Sequence, residues 1–562
     1  MSDTPEQPNE SAGALPGSPA PGAVSGDADA VAGPPGSQPR RGWTIAAIIF
    51  AVTMIFIDQT IVAIAVPEMQ KELKLTSTGI QWVVTGYLLA MAAFFALGGR
   101  LGDIFGHRKL FVIGVLTFVC SSVLVGLTPD VAGSGTSAEI WIIIFRICQG
   151  IGGAMMFPAA LTLVLNQFAF EKRGSAMALV FGIAGAMTAI GPIAGAYITE
   201  YWDWSGIFFI NVPIAIIALS LFAYARPHDA WKRDPIDYVG AALVVVGMGL
   251  TVLGIQQSTA WGWGSVATWA CIVIGVLILV GFCFYETKQE VPLIRLRLFK
   301  VRAFAAENAV LFFLLIVFIP IFFFASQYWQ IVLGQSPSEA GVTTLWIFAA
   351  FAVTTQIGGR VLDKAGAKVA IVPGALIAAA GLFWWGATVS LDFGSQWQPL
   401  IVFGAGLGLV LGPASTDALN WAPRLWRGEA TGLVQTSRNF GASLGLAIGG
   451  TILITIQKSH AESLLEKLGL SNSQADSVVE RLSHGAGNTE AFFAQFGSQA
   501  AQVGQDMQQA FTDGFQAVLF FFGAAMLCCF VVALLFIPRG KAPAETMDEI
   551  QTTSGAPAGG DG

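Results

Sequence analysis

The sequence predicts an all-α integral membrane protein that crosses the bilayer fourteen times, as two six-helix halves with two helices inserted between them. Three observations predict this fold. The 562 residues are 54% hydrophobic and only 12% charged, whereas about 25% charged residues is typical of soluble domains. Fourteen apolar runs approach or exceed the roughly 20 residues that a helix needs to cross a bilayer. Basic residues gather in every second connection, and one charged loop pattern occurs twice.

The apolar runs are continuous and lack the alternation of a membrane barrel strand, so each predicts a helix. The predicted spans are 43–66, 80–97, 109–128, 138–166, 174–198, 206–226, 236–257, 265–285, 304–327, 338–360, 367–390, 397–419, 428–456 and 514–537.

These spans group into regions. We expect a six-helix half over 43–226, two inserted helices over 236–285 and a second half over 304–537. The second half includes a long polar segment, 457–513, which we expect as an external loop or a small external cap. The terminal regions are predicted as tails. Residues 1–42 are rich in Pro, Gly, Ala and Ser and predict disorder, and residues 538–562 form a short second tail.

The connections differ sharply in basic residues. Only Lys71 and Lys74 lie in the short loops of one side. The other side carries Arg100, Arg108, Lys109, Lys172, Arg173, Arg226, Lys232, Arg233, Lys288, Arg295, Arg297, Lys300, Arg302, Arg360, Lys364, Lys368, Arg424 and Arg427. Arg40, Arg41, Arg539 and Lys541 of the two tails fall on this side too. The positive-inside rule places it in the cytoplasm, so we expect both termini on the cytoplasmic side of the plasma membrane.

A loop pattern repeats between the second and third helix of each half. Residues 98–108 read GGRLGDIFGHR and residues 358–368 read GGRVLDKAGAK, with Gly, Gly, Arg, Asp and Gly in register. Residues 173–176, RGSA, and 427–430, RGEA, open corresponding helices. Two matches in one register predict an internal repeat, and transporters with parallel halves bind substrate between them.

Together with four further segments, the first loop resembles the major facilitator superfamily, specifically its fourteen-helix drug:proton antiporter branch of the EmrB/QacA type. The segments that carry the resemblance are 99–109, 58–67, 146–152, 182–195 and 202–213. Two positions depart from the branch: Ile104 stands where a base is usual, and Thr85 stands where some exporters of multicationic drugs carry an acid.

The resemblance implies a major-facilitator fold and proton-coupled export of drugs, antibiotics or a self-made metabolite. It also implies a cytoplasmic gating loop and a helix 5 of the antiporter type. The gating residues are Gly99, Asp103, Gly106 and Arg108, with Asp363 in the second half, and a solvated turn is the alternative. The helix 5 residues are Gly182, Gly185, Gly191, Pro192 and Gly195, for which tight packing alone is the alternative.

Charges inside membrane helices are costly and indicate function. Asp58 lies roughly 22 Å from the inner surface and Arg146 roughly 10 Å from the outer surface, which are similar depths in a core of about 30 Å. We therefore expect the two to pair and Asp58 to carry the coupled proton; a fixed structural ion pair and direct substrate contact are the alternatives.

Other polar residues near apolar segments are weaker candidates. Gln327, Tyr328, Gln330 and Arg438 are predicted to line a substrate cavity, with packing or an interfacial aromatic belt as the alternative. Glu307 and Asp417 fall near predicted cytoplasmic ends, where an interfacial position is as plausible as a function.

Several function classes are disfavoured. His107, His228, His460 and His484 have no metal-ligand spacing, so we expect no metal. No Walker A sequence occurs, which disfavours ATP-driven pumping. No Ser/His/Asp or metal constellation lies at membrane depth, and we expect no cofactor and no enzyme activity. No basic cluster alternates with aromatics, which argues against nucleic acid. We expect a monomer in the lipid bilayer that handles a small-molecule substrate and protons. An importer on the same scaffold, or a membrane sensor or enzyme, are the rival interpretations.

Overall fold

The computed structural model describes residues 38–167, 173–227, 229, 237–289, 292–394, 396–422, 427–467 and 500–541. The first half contains six long helices: α1 Gln38–Leu73, α2 Ser77–Phe105, α3 His107–Gly126, α4 Thr136–Leu165, α5 Arg173–Tyr201 and α6 Asn211–Ala225. The inserted pair is α7 Tyr238–Trp261 and α8 Val266–Glu286. The second half contains α9 Arg302–Gln327, α10 Pro337–Ala365, α11 Ala367–Thr388, α12 Trp397–Asn420, α13 Arg427–Lys467 and α14 Ala500–Phe536.

Thirteen helical segments of the described chain are long and apolar enough to cross a membrane. The fifth of them, Gly206–Ala225, joins the single turn Gly206–Phe209 to α6. Helix α5 supplies the remaining predicted span as a helix of 29 residues. The all-helical fold with two halves and an inserted pair is therefore confirmed.

The two halves repeat the same packing. In the first half α4 packs against α2 and α3, while α1 packs against α5 and α6. In the second half α12 packs against α10 and α11, while α9 packs against α13 and α14. Between the halves α2 packs on α13, and α5 packs on α10.

Two glycines mark the repeated turn. Gly106 separates α2 from α3 at φ 92°, and Gly366 separates α10 from α11 at φ 91°. A residue with a Cβ rarely adopts this φ, so both copies of the loop pattern need glycine here. We call the end of the bundle that carries Gly106, Gly366 and residues 292–300 the basic face, and the end that carries Leu75 and Glu200 the opposite face.

The inserted helices form a hairpin that packs through α7 on α2 and α13. Helix α8 contacts mainly α7, and its apolar side chains, such as Leu277 and Phe284, are exposed over most of their surface. An apolar surface of this kind needs lipid around it.

The helices extend further than hydropathy predicted. Helix α13 continues to Lys467 and α14 already begins at Ala500, so both ends of the predicted 457–513 loop are helical. Polar residues hold the extension of α14: the Gln509 amide donates to Asp513 Oδ1 at 2.8 Å, and His460 Nδ1 of α13 lies 3.4 Å from Asp513 Oδ2. A search for apolar runs does not detect helical turns that are made of polar residues. Residues 468–499, like 1–37 and 542–562, lie outside the described residues.

Candidate functional site

Asp58 of α1 and Arg146 of α4 form an ion pair in the centre of the first half. Arg146 Nη1 lies 2.6 Å from Asp58 Oδ2, and both side chains are 0% exposed. The structure thus brings together the two residues that depth along the helices had paired. A buried ion pair must be well hydrogen-bonded to offset its desolvation.

Three groups hold the Arg146 guanidinium. Its Nε donates to the Val83 carbonyl oxygen of α2 at 2.8 Å, and its Cζ lies 4.4 Å from the centre of the Tyr87 ring. The ring of Phe208 lies on another side at 5.7 Å. Aromatic faces attract a guanidinium, so Arg146 is fixed independently of Asp58. Its Nη2 has no hydrogen-bond partner among the described residues.

Gln149 completes the site, although sequence analysis did not single it out. Its Oε1 accepts from Arg146 Nη1 at 2.8 Å, and its Nε2 donates to Asp58 Oδ1 at 2.9 Å. Gln149 therefore binds both members of the ion pair. Its position three residues after Arg146, on the same helix face, is the signal that could have identified it.

Two of the predicted helix 5 glycines pack against α1 beside this site. A Cβ added to Gly191 would overlap Thr60 Oγ1, and one added to Gly195 would lie 2.7 Å from Ile61 Cγ1. Thr60 Oγ1 donates to the Thr188 carbonyl oxygen at 3.0 Å. Small residues here let α5 approach α1 within two residues of Asp58. The surroundings of Gly182 and Gly185 lie outside the described residues, and Pro192 lies inside α5.

A polar face of α13 continues from the ion pair into the second half. Gln59, the neighbour of Asp58, donates through Nε2 to Asn439 Oδ1 at 3.4 Å. Arg438 follows, with Nη1 donating to Gln435 Oε1 at 2.9 Å. The buried polar residues of this face recur every fourth position, at Thr431, Gln435, Asn439 and Ser443. That spacing within an apolar helix was readable in the sequence.

A cavity of about 220 Å³ lies towards the basic face. Phe95 and Gly99 of α2, Pro158 of α4, and Thr431 and Thr436 of α13 contribute to its walls. The cavity therefore lies between the two halves, and the polar face of α13 reaches into it.

The residues predicted to line a substrate cavity, Gln327, Tyr328, Gln330 and Arg438, do not line the cavity described above, and their role in substrate binding stays a prediction. Tyr328 is fully buried, donates to the Ser390 carbonyl oxygen and stacks on Phe515, so it packs inside the second half. Gln327 is also buried, and Arg438 lies on α13 beyond the cavity walls. Hydropathy identified these residues as unusual but could not tell which helix face they occupy.

Gln330 instead joins the two halves near the opposite face. It donates through Nε2 to the Ile64 carbonyl oxygen of α1 at 2.9 Å and to Ser326 Oγ at 2.8 Å. It lies in a turn of π-helix, Tyr328–Val332, a distortion that is frequent at functional sites.

Glu200 makes a second hydrogen bond between the two halves near the opposite face. Its Oε2 accepts from the backbone N–H of Ser338, in the first turn of α10, at 2.7 Å. Hydrogen bonds from the Ser338 side chain and backbone lower the pKa of Glu200. The contact therefore favours the carboxylate form and joins α5 to α10.

The predicted gating loop lies at the basic face. The Arg108 backbone N–H donates to Asp229 Oδ2 at 2.9 Å, and His107 Nδ1 lies 3.4 Å from Asp229 Oδ1. Asp363 is exposed, and the side chain of Asp103 lies outside the described residues. The gating role of both acids stays a prediction.

Sequence analysis missed the role of the connection between α8 and α9. The Pro292 carbonyl oxygen accepts from Arg100 Nη2 at 2.7 Å, and Arg295 Nε lies 2.9 Å from Glu429 Oε2 of α13. This connection therefore contacts both halves at the mouth of the cavity.

Comparison with known protein families identifies the family of this chain. The family model described as Major Facilitator Superfamily matches residues 48–446. The chain belongs to the major facilitator superfamily. As a member of it, the protein is a multi-pass membrane transporter of small molecules and not an enzyme.

Relatives of this superfamily member are export and resistance proteins. It is 34% identical over 420 residues to the tetracenomycin C resistance and export protein of Streptomyces glaucescens, covering 74% of this chain and 76% of the relative. It is 32% identical over 428 residues to the cephamycin export protein CmcT of Amycolatopsis lactamdurans, covering 74% and 86%. It is 30% identical over 438 residues to the multidrug transporter protein MdtP of Bacillus subtilis strain 168, covering 76% and 78%.

Solved structures show the same fold at low identity. A bacterial homologue of the human lysosomal transporter Spinster, in an inward-facing and unoccupied conformation, aligns with a TM-score of 0.61 at 16% identity, covering 91% of this chain and all of that one. A D-xylose-proton symporter aligns with a TM-score of 0.57 at 14% identity, covering 89% and 98%.

Proposed function

We propose that this superfamily member exports small amphipathic molecules, such as antibiotics or a self-made metabolite, across the cytoplasmic membrane in exchange for protons. The buried ion pair of Asp58 and Arg146 carries the proposal. A titratable group without water access can couple transport only if conformational change alters its partners. Asp58 lies where α1, α4 and α5 meet, so relative motion of these helices changes its surroundings.

The contacts of Asp58 support a mechanism in which the carboxylate exchanges its partner Arg146 for a proton. In the arrangement observed, Asp58 accepts hydrogen bonds from Arg146 and Gln149, which suits an ionised carboxylate. When α1 moves relative to α4 and Asp58 separates from Arg146, the carboxylate loses a cation in a low-dielectric site and takes up a proton. Renewed pairing with Arg146 releases that proton. Gln59 donates to Asn439, so the same movement of α1 changes a hydrogen bond to the polar face of α13. We propose that substrate binds at this face.

Orientation and substrate route follow from charge and shape. The positive-inside rule assigns the basic face and both termini to the cytoplasm. The cavity near that face then admits molecules from the cell interior, and the contacts at Gln330 and Glu200 close the external side. The export and resistance functions named for the relatives agree with outward transport. We expect one chain to suffice.

Proteoliposomes with an imposed pH gradient test the proposal. The wild type should move a fluorescent dye or tetracenomycin C against its gradient and release protons when substrate is added. Asp58→Asn should lose both, because the amide cannot titrate, while substrate binding remains. Asp130→Asn, an exposed acid on the opposite face, is the matched control. Proton-coupled transport by Asp58→Asn at normal expression would overturn the proposal.

A further inference from the structure

Helix α13 carries buried hydrogen-bonding groups that no described residue uses. These groups are Thr436 Oγ1, Arg438 Nε, Asn439 Nδ2 and Ser443 Oγ, all without a hydrogen-bond partner in the described part of the chain. Thr436, Asn439 and Ser443 are only 6%, 3% and 0% exposed. Buried polar groups in proteins are nearly always hydrogen-bonded, so several unused groups within about two turns of one helix indicate a ligand.

The acceptors beside these groups are already occupied. Gln435 Oε1 accepts from Arg438 Nη1 at 2.9 Å, and Asn439 Oδ1 accepts from Gln59 Nε2 at 3.4 Å. The groups left over on Arg438 and Asn439 are N–H groups, which can only donate. The unused capacity of this face is therefore donor capacity, and it suits a ligand that presents oxygen atoms.

The two hydroxyl groups are available to a ligand as well. A Ser or Thr hydroxyl inside a helix can donate to the carbonyl oxygen four residues earlier, as Thr451 of α13 does to Ala447 at 2.9 Å. Thr436 and Ser443 make no such bond. Thr436 lies in the wall of the cavity, so its hydroxyl can contact a molecule that enters there.

The charges around this face favour a negative ligand. Arg438 forms no ion pair with a carboxylate of the described residues, and its hydrogen bond goes to the neutral Gln435. Glu429 is the one acid among the described residues of the cavity wall, and it is already paired with Arg295 at 2.9 Å. Asp58 of α1 is paired with an arginine of its own half. A guanidinium in a membrane helix without a counter-charge is costly, and an anionic ligand supplies that charge.

Resting on the proposed function, we propose that the transported molecules are oxygen-rich anions, bound at α13 by Arg438 and Asn439. The planar guanidinium suits a carboxylate or phenolate oxygen, and the Asn439 amide suits a carbonyl or hydroxyl oxygen. The apolar part of such a molecule lies against Phe95 and Pro158 in the cavity, beside the Thr436 hydroxyl. A cation of the same size is repelled by Arg438 and finds no free carboxylate among the described residues of this face.

Two dyes of opposite charge test this on the purified, full-length protein. Fluorescein is an anion and a rhodamine ester is a cation, and they share one xanthene ring system. By fluorescence anisotropy, the wild type should bind fluorescein at least roughly tenfold more tightly than the rhodamine ester, because a guanidinium bonds to an oxyanion with charge assistance.

Variants of α13 assign this preference to Arg438. Arg438→Gln should bring the ratio of the two affinities close to one, and Arg438→Lys should retain part of the preference. Asn439→Asp should also remove it, because the new carboxylate neutralises Arg438. Lys458→Gln, which removes an exposed base from the same helix, should leave the ratio unchanged. Both dyes are measured on one sample, so the ratio does not depend on how much of a variant is folded.

The same samples separate this inference from the proposed function. Asp58→Asn should keep the ratio and lose proton-coupled transport. Fluorescein binding by a wild type that fails to transport it in a pH gradient would count against the proposed function alone. A wild type that does not bind fluorescein, or binds the rhodamine ester as tightly, would overturn the anionic substrate class. A ratio that Arg438→Gln leaves unaltered would overturn it too.

Discussion

Gly191 lies directly against Thr60, with no space between the two helices for a side chain. A Cβ added to Gly191 would overlap Thr60 Oγ1 and would lie 3.1 Å from the Ile57 carbonyl oxygen. Thr60 and Ile57 bracket Asp58 and Gln59 on α1. The position of the titratable carboxylate relative to α5 therefore depends on the absence of a side chain at Gly191.

We predict that Gly191→Ala impairs transport severely. The methyl group must push α1 and α5 apart, and overpacking of this kind typically costs about 1–3 kcal/mol. The expected result is a loss of pH-driven uptake in proteoliposomes of roughly tenfold or more, since about 1.4 kcal/mol corresponds to a factor of ten. Gly249→Ala is the control, because nothing lies within 4 Å of a Cβ at Gly249. Equal activity of the two variants would contradict the packing argument.

Gln149→Ala should weaken coupling without removing the titratable group. The variant loses the hydrogen bond that Gln149 donates to Asp58 and the one that Arg146 donates to Gln149, at a cost of about 1–3 kcal/mol for a buried polar group left unpaired. Substrate-induced proton release should then have an altered pH profile while Asp58 still exchanges protons. Cys148→Ala, one residue earlier, should keep the wild-type profile. An unaltered profile in Gln149→Ala would remove Gln149 from the site.

The contact between Glu200 and Ser338 predicts an acid-sensitive closure of the opposite face. Hydrogen bonds from Ser338 lower the pKa of Glu200, so the contact is fully present above the ordinary carboxyl range. It is lost as the pH falls through the lowered value, because the protonated acid no longer favours the α10 N-terminus.

Spin labels at Tyr201 and Val342 measure this closure as a distance distribution. Acid should broaden it towards longer distances, and Glu200→Gln should show the acid-type distribution at neutral pH. Asp130→Asn should behave as the wild type. A wild-type distribution that does not respond to acid would rule out the contact as a closure.

Topology can be mapped with a membrane-impermeant thiol reagent in intact cells. In a background without native cysteines, Ser134→Cys, between α3 and α4, should be labelled, and Lys364→Cys, at the end of α10, should not. Both side chains are exposed, so accessibility is determined by the side of the membrane. The reverse pattern would invert the orientation proposed for the basic face.

Most of the fold was predictable because each membrane helix buries a continuous apolar run that hydropathy detects. The pairing of Asp58 with Arg146 was predictable for a related reason: charges are scarce in such helices, and depth along the helix limits their possible partners. The helical turns beyond His460 and before Asp513 were missed, since polar side chains and helix continuity stabilise them.

The remaining site residues depend on rotation about the helix axis, which one sequence does not specify. Gln149 is uncharged, and in the sequence nothing distinguishes it from other polar residues. Only the structure shows that it faces both Arg146 and Asp58. Glu307 and Asp417 lie far apart in sequence and near helix ends, where the membrane surface is the natural expectation. The structure instead buries both side chains in the second half, where α9 packs on α12.

The inserted hairpin leaves the two flanks of the transporter unequal. Thr451 of α13 donates to the Ile255 carbonyl oxygen of α7 at 3.0 Å, and the Gln256 side-chain oxygen of α7 accepts from Trp82 Nε1 of α2 at 3.1 Å. Helix α7 thus covers the seam between α2 and α13, while among the described helices neither α7 nor α8 packs on α5 or α10. An apolar molecule dissolved in the bilayer therefore meets an additional helix on one flank, whereas on the other flank it meets the packing of α5 on α10 directly. The protein is therefore asymmetric within the plane of the membrane, between its two flanks, as well as across the membrane.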